Sequence, residues 1–192
     1  MWYTTCSVAT TRILFVCTGN QCRSPVAAAL AARRLSSIGV DGDAVSAGLL
    51  DGGSRPPPEV VTAAREAGLD LAGHRSRRLT ETDVSQADLV VGMAREHVRE
   101  AVMLDPTAFS KTFSLREVVR RAGLVGARRS GDPLEEWLAD LHRGRRATDL
   151  LGASADDDVA DPMGGPIAGY RSMVADVDGL VGRLVVAAWG LA

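Results

Sequence analysis

Aromatic residues make up only 4% of this 192-residue chain, and its three cysteines, Cys6, Cys17 and Cys22, all lie near the N-terminus. Cysteines so placed cannot staple a whole domain, which excludes a disulfide framework and fits a reducing, cytoplasmic setting. Long apolar runs are missing as well. The run at 13–16 is far too short for a membrane helix, residues 1–6 carry no basic segment that could open a signal peptide, and Arg183 interrupts the apolar C-terminal stretch. Neither sign of charge dominates: the formal net charge of −2 argues against a nucleic-acid or membrane-surface partner. The chain has no Gly-x4-Gly-Lys-Ser/Thr loop, no Gly-x-Gly-x-x-Gly and no set of side chains spaced for a metal, so neither a cofactor nor a metal is expected.

What is present is a helix-rich, aliphatic pattern, 46% hydrophobic in 20.2 kDa, enough to bury one substantial core. We expect a flexible N-terminal extension at 1–11, with Cys6 an inconsequential thiol, and a single domain over 12–192. Apolar runs at 13–16, 44–47, 88–93 and 111–115 read as strands. Helical spacing follows them at 25–35, 59–67, 94–103 and 116–122. This alternation predicts an α/β fold, a doubly wound four-stranded parallel sheet flanked by helices. Tyr170, Met173, Val174, Val177, Leu180, Val181, Leu184, Val185 and Ala188 fall on one stripe of a final helix over 167–189. Glycines and Pro133 break residues 123–160, leaving a short helix at 134–141 and an exposed acidic Asp156-Asp157-Asp158. Arg75-Ser76-Arg77-Arg78 and Arg143-Gly144-Arg145-Arg146 read as solvated surface, or alternatively as a dock for an acidic phosphoprotein. His97 and His142 fall on helices and receive no role.

The stretch Val16-Cys17-Thr18-Gly19-Asn20-Gln21-Cys22-Arg23-Ser24-Pro25 joins the first strand to the first helix. Gly19 and Asn20 are the residue types that most easily adopt positive φ, so the loop can curl its N–H groups inward into an anion nest. The helix adds unpaired first-turn donors and the positive end of its dipole, with Ser24 as N-cap and Pro25 in the first turn. Together they make a phosphate-sized cradle after the first strand. Cys17 lies on its floor, where positive potential stabilises an anionic sulfur nucleophile. Arg23, six positions on, can grip two oxygens of a phosphoryl group with its planar fork.

This ten-residue stretch resembles the signature loop of the low-molecular-weight protein tyrosine phosphatases, a family that also includes protein-arginine phosphatases and a branch of arsenate reductases. The resemblance implies a cofactor-free hydrolase acting on a phosphorylated protein or small phosphomonoester through a phosphocysteine intermediate. Cys17 would be the nucleophile and Arg23 the clamp. The backbone of Thr18, Gly19, Asn20, Gln21, Cys22 and Arg23 would bind phosphate, and Ser24 would hydrogen-bond the sulfur. Asp161-Pro162 matches the family's general acid; the residues alone do not separate Asp161 from Asp156, Asp157 and Asp158. Ser46 and His74 match positions that brace the loop asparagine, here Asn20. Cys22 matches a cysteine that traps an oxidised nucleophile as a disulfide.

Phosphotyrosine is the first substrate implied, yet the family's aromatic walls are replaced by Leu49-Leu50-Asp51 and Met163-Gly164-Gly165, so Leu49, Met163 and Gly164 would line an open pocket. Protein-arginine phosphatases are the alternative; they carry threonine where Gln21 stands. Arsenate reduction coupled to a small thiol is another, because no cysteine follows Cys22 to relay a disulfide. A non-catalytic phosphoprotein reader would have little reason to keep Cys17 and Asp161.

Overall fold

Residues of the first strand, β1 (Thr11–Cys17), alternate in destination. Ile13, Phe15 and Cys17 enter one core cluster while Leu14 and Val16 enter another. A strand buried in this way on both faces belongs at the centre of a parallel sheet. The computed structural model describes residues 11–190. Residues 1–10, with Cys6 and nearly all of the expected extension, lie outside the described residues, and Thr11 is already part of β1 rather than of the extension.

With β2 (Gly42–Gly48), β3 (Leu89–Gly92) and β4 (Thr112–Ser114), β1 forms one parallel sheet in the order β2-β1-β3-β4. The larger cluster joins Ile13 and Phe15 to α1 (Arg23–Ser37), α2 (Pro58–Glu66), α5 (Leu115–Val125), α6 (Leu134–His142) and α7 (Ile167–Trp189). The smaller cluster joins Leu14 and Val16 to α3 (Glu81–Gln86) and α4 (Arg95–Leu104). The fold is therefore the doubly wound α/β arrangement. The chain leaves β1 towards β2 and later returns to the other side as β3, so the loops after β1 and β3 diverge and open a crevice at the sheet's carboxyl edge. No helix of the described residues is long and apolar enough to cross a membrane.

All nine residues of the predicted α7 stripe are buried, because a 3.6-residue period aligns them on one face regardless of context. By contrast α3 is absent from the periodicity. Its signal is a capping box instead: Thr80 accepts from Asp83 N–H, and the Asp83 carboxylate accepts from Thr80 N–H. Helix α5 also runs through Gly123 and ends only at Gly126, whose φ is 99°.

Two surface readings are corrected. Arg145 is not solvated: it is 8% exposed, its guanidinium lies 4.0 Å from the Phe113 ring centroid, and it pairs with Glu117 at 2.7 Å while donating to the carbonyls of Phe109 and Thr112. A planar cation whose donors are occupied and whose face lies on a ring can be buried where lysine could not. Asp157 is likewise buried, between Arg95 at 2.7 Å and Arg120 at 2.8 Å. Burial pushes its carboxyl up, but the bonds from Arg120 and Arg95 outweigh this and hold it below the ordinary carboxylate range. Removing Arg145 while leaving Glu117 buried is expected to be costly. Arg145→Ala should lower stability by about 3 kcal/mol, read as a lower urea midpoint at unchanged slope.

Candidate active site

The loop between β1 and α1 is held from three sides. Asn20, fully buried with φ at 49°, donates from Nδ2 to Ser46 Oγ at 2.9 Å and to Ser24 Oγ at 3.0 Å. Its Oδ1 accepts from the Arg77 N–H at 3.0 Å, and its carbonyl meets His74 Nε2 at 2.7 Å. The amide is thus satisfied at both ends, which pins an unfavourable backbone angle. Asn20, Ser46 and His74 are brought together. Of the two residues expected to take positive φ, only Asn20 does so. Gly48 is the further requirement, opposite Cys17 in the β1–β2 register. A Cβ there would lie 2.8 Å from Asn20 N and 2.9 Å from Thr18 O, inside the loop backbone.

Cys17, the last residue of β1, is 2% exposed and accepts from Ser24 Oγ at 3.0 Å. Ser24 is not the N-cap. That position falls to Cys22, which makes no side-chain capping bond, because the helix begins at Arg23 and the serine hydroxyl turns inward to the sulfur. First-turn N–H groups uncapped by a side chain remain directed into the loop, where they favour an anion. Cys22 is 3% exposed, and its thiol is pushed up to about 12, first by burial and then by the neighbouring charges of Asp161 and Cys17.

Arg23 is nearly enclosed. It donates to the Val159 carbonyl at 3.2 Å, to Thr18 Oγ1 at 3.2 Å and to Asp161 Oδ2 at 2.5 Å. Of the four aspartates in question only Asp161 touches this arginine. Asp157 is held in the ion pairs described above, and Asp158 accepts from the N–H groups of Arg95 and Ser154, tying the chain to the start of α4. Asp156 is exposed. The other oxygen of Asp161 accepts from Met163 N–H at 3.1 Å, which orients a side chain that is 40% exposed. Thr18, Arg23, Glu96, Arg99 and Asp161 line one cavity of about 320 Å³.

The residues expected to form a wall differ in exposure. Leu49 is half-buried and packs on the Leu14 and Val16 cluster, because its N–H is tied to the Cys17 and Thr18 carbonyls at the sheet edge. Leu50 is the exposed neighbour at 57%, Met163 is 49% exposed, and Gly164 adopts φ 77°. None of residues 49–51 or 162–165 is aromatic.

One neighbour of the loop was not anticipated. His97, on the inward side of α4's first turn, is fully buried with Nε2 3.0 Å from Thr18 Oγ1. The available signal was its place just after β3, beside the crevice. Burial, then the charges of Arg23 and Arg99, lower its pKa to about 3, so the ring is neutral at ordinary pH. Together these groups surround one loop with a sulfur, a guanidinium and a carboxylate, an arrangement able to bind an oxyanion, attack it and move a proton.

A family model described as low molecular weight phosphotyrosine protein phosphatase matches residues 12–136. A protein-arginine-phosphatase of Geobacillus stearothermophilus is 32% identical over 174 residues, 90% of this chain and 93% of the relative. The low molecular weight protein-tyrosine-phosphatase Etp of Escherichia coli K12 is 32% identical over 68% of this chain and 87% of its own length. Among solved structures, a low molecular weight protein tyrosine phosphatase from T. tengcongensis superposes with a TM-score of 0.68 at 31% identity, covering 92% of this chain and 98% of that one.

Proposed function

Because the chain belongs to the low molecular weight phosphotyrosine protein phosphatase family, we propose that it hydrolyses phosphorylated protein side chains through a phosphocysteine intermediate, with Cys17, Arg23, Ser24 and Asp161 as its chemistry. The observation that carries this reading is the convergence of Ser24 Oγ on Cys17 Sγ at 3.0 Å with Arg23 on Asp161 at 2.5 Å. The Cys17 thiolate attacks phosphorus opposite the leaving atom. As the S–P bond forms and the leaving bond breaks, Asp161 passes its proton to the departing group. The Asp161 carboxylate then takes a proton from water, the water oxygen attacks phosphorus, and the thiolate leaves with the Ser24 hydroxyl directed at it. The N–H groups of Thr18 to Arg23 and the Arg23 guanidinium carry the negative charge on the non-bridging oxygens throughout. Asp161 beside Arg23 favours hydrolysis over arsenate reduction, since thiol exchange has no ester oxygen to protonate. The reduced Cys17 that this chemistry needs favours the cytoplasm.

Phosphotyrosine is the substrate we place first, on the family. Phosphoarginine is the second reading, favoured by the lack of any aromatic residue at 49–51 and 162–165 to sandwich a phenyl group. The test is phosphate release from matched phosphotyrosine, phosphoarginine and phosphoserine peptides, with Cys17→Ser protein as blank. Preference for phosphotyrosine upholds the first reading and preference for phosphoarginine the second. Release from none of the three overturns the phosphoprotein assignment.

We also propose that Cys22 protects the nucleophile. Peroxide converts the Cys17 thiolate to a sulfenic acid, and condensation with the Cys22 thiol forms a disulfide and releases water, which blocks further oxidation. After peroxide and then reductant, Cys22→Ser protein is expected to recover clearly less activity than the parent; equal recovery removes the proposal.

A further inference from the structure

The crevice at the sheet's carboxyl edge has two sides, and the chemistry described so far uses the β1 side together with the Asp161 loop. From the β3 side α4 inserts a fully buried imidazole. It reaches the loop because Gly92 leaves room: a Cβ on Gly92 would stand 3.0 Å from His97 Cβ and 3.0 Å from Val98 Cγ2. Thr18 Oγ1 is the meeting point. It accepts from Arg23 Nη2 at 3.2 Å, lies 3.3 Å from Glu96 Oε1 and lies 3.0 Å from His97 Nε2. A hydroxyl has one proton to give and two lone pairs. The glutamate can only accept and the arginine can only donate, and Glu96 Oε1 also lies 3.3 Å from His97 Nε2. With the hydroxyl proton turned to the glutamate, the ring proton is assigned to Nε2, which is nearer to the second lone pair of Thr18 than to the carboxylate.

We propose that His97 is a positioning residue: its Nε2–H and the Glu96 carboxylate together fix the Thr18 hydroxyl so that its lone pair holds the Arg23 guanidinium in the geometry that receives a phosphoryl oxygen. The proposal rests on the reading of Arg23 as an oxyanion clamp. In this tautomer Nδ1 keeps a lone pair, and Nδ1 is one of three buried side-chain nitrogens or oxygens without a partner among the described residues. The other two belong to Arg34 and Arg116, each of which is held through its Nη2, by Asp178 and by Asp176. An apolar side chain would fill the space of His97 without the cost of an orphaned acceptor. What such a side chain lacks is the single donor aimed at Thr18.

Binding of inorganic phosphate, measured by calorimetry on the full chain, tests this without requiring turnover, and thermal unfolding of each variant confirms that the protein is folded at the binding temperature. His97→Leu is expected to weaken phosphate binding about tenfold. His97→Gln, whose terminal amide can occupy the place of Nε2, should stay within about threefold of the parent. His97→Asn, whose shorter amide stops at the Nδ1 level, should lose as much as leucine and replaces it if the leucine variant does not fold. In a Thr18→Val background the change at His97 should add little, because the hydroxyl it orients is gone. Unchanged phosphate affinity in both His97→Leu and His97→Asn overturns the proposal, as does an equal loss in His97→Gln or an undiminished loss on top of Thr18→Val. Failure of the parent to bind phosphate overturns both this proposal and the phosphatase reading. A parent that binds phosphate but hydrolyses no phosphoester overturns only the latter.

Discussion

Cys17→Ser is expected to lower turnover by at least about 10⁴-fold while leaving inorganic phosphate bound about as tightly as before. The two halves of this result have different causes. Turnover depends on a nucleophile that is anionic at working pH and that leaves readily from phosphorus, and a serine hydroxyl meets neither condition without a strong base beside it. Among the described residues no such base bonds to the sulfur: its hydrogen-bonding neighbour is the Ser24 hydroxyl, which donates to it rather than taking a proton. Binding depends on the loop N–H groups and on Arg23, and their positions are set by Asn20, Ser46, His74 and Thr18 rather than by the sulfur. Phosphate release and calorimetry on the same protein separate the two. Substantial residual turnover would sink the phosphocysteine mechanism, whereas lost binding with correct folding would show that the sulfur itself shapes the cradle.

Asp161→Asn is expected to cost about 10²–10⁴-fold in kcat on peptide substrates, and much less on an aryl phosphate whose leaving group departs without a proton. The amide is nearly isosteric and keeps an oxygen for Arg23, so the 2.5 Å contact that links the Asp161 loop to the clamp has a replacement. What disappears is the transferable proton and one negative charge beside the bound dianion. Phosphate binding should therefore hold or tighten, because a like charge has been removed from the cavity. Equal losses on good and poor leaving groups would assign the general acid elsewhere. Asp158 is a poor substitute, since both its oxygens are committed to backbone N–H groups.

Much of this site could be read before folding was considered. The strand, loop and helix around Cys17 and the whole length of α7 are where pattern put them, and Ser46 and His74 lie within hydrogen-bonding distance of Asn20. The misreadings share a cause. Ser24 looks like a cap because serine before a helix usually is one, but here its hydroxyl meets a sulfur seven residues away. Arg145 looks like surface because arginine usually is, but Phe113 and Glu117 arrive from another element to enclose it. His97 looks like an idle helix residue until α4 is packed beside the loop after β1.

Period and local chemistry decided the parallel α/β fold and the cradle, because backbone hydrogen bonding and the alternation of side chains along a strand or helix depend on near neighbours in the chain. Tertiary packing alone decided which of four aspartates reaches Arg23, 138 residues away in sequence. It also decided that Asp157 and Arg145 are buried, and that a histidine from the far side of the crevice touches Thr18. Those outcomes depend on which distant side chains share a volume from which water is excluded. There each charge must find an opposite partner and each hydroxyl proton an acceptor, and no local pattern of residues encodes that matching.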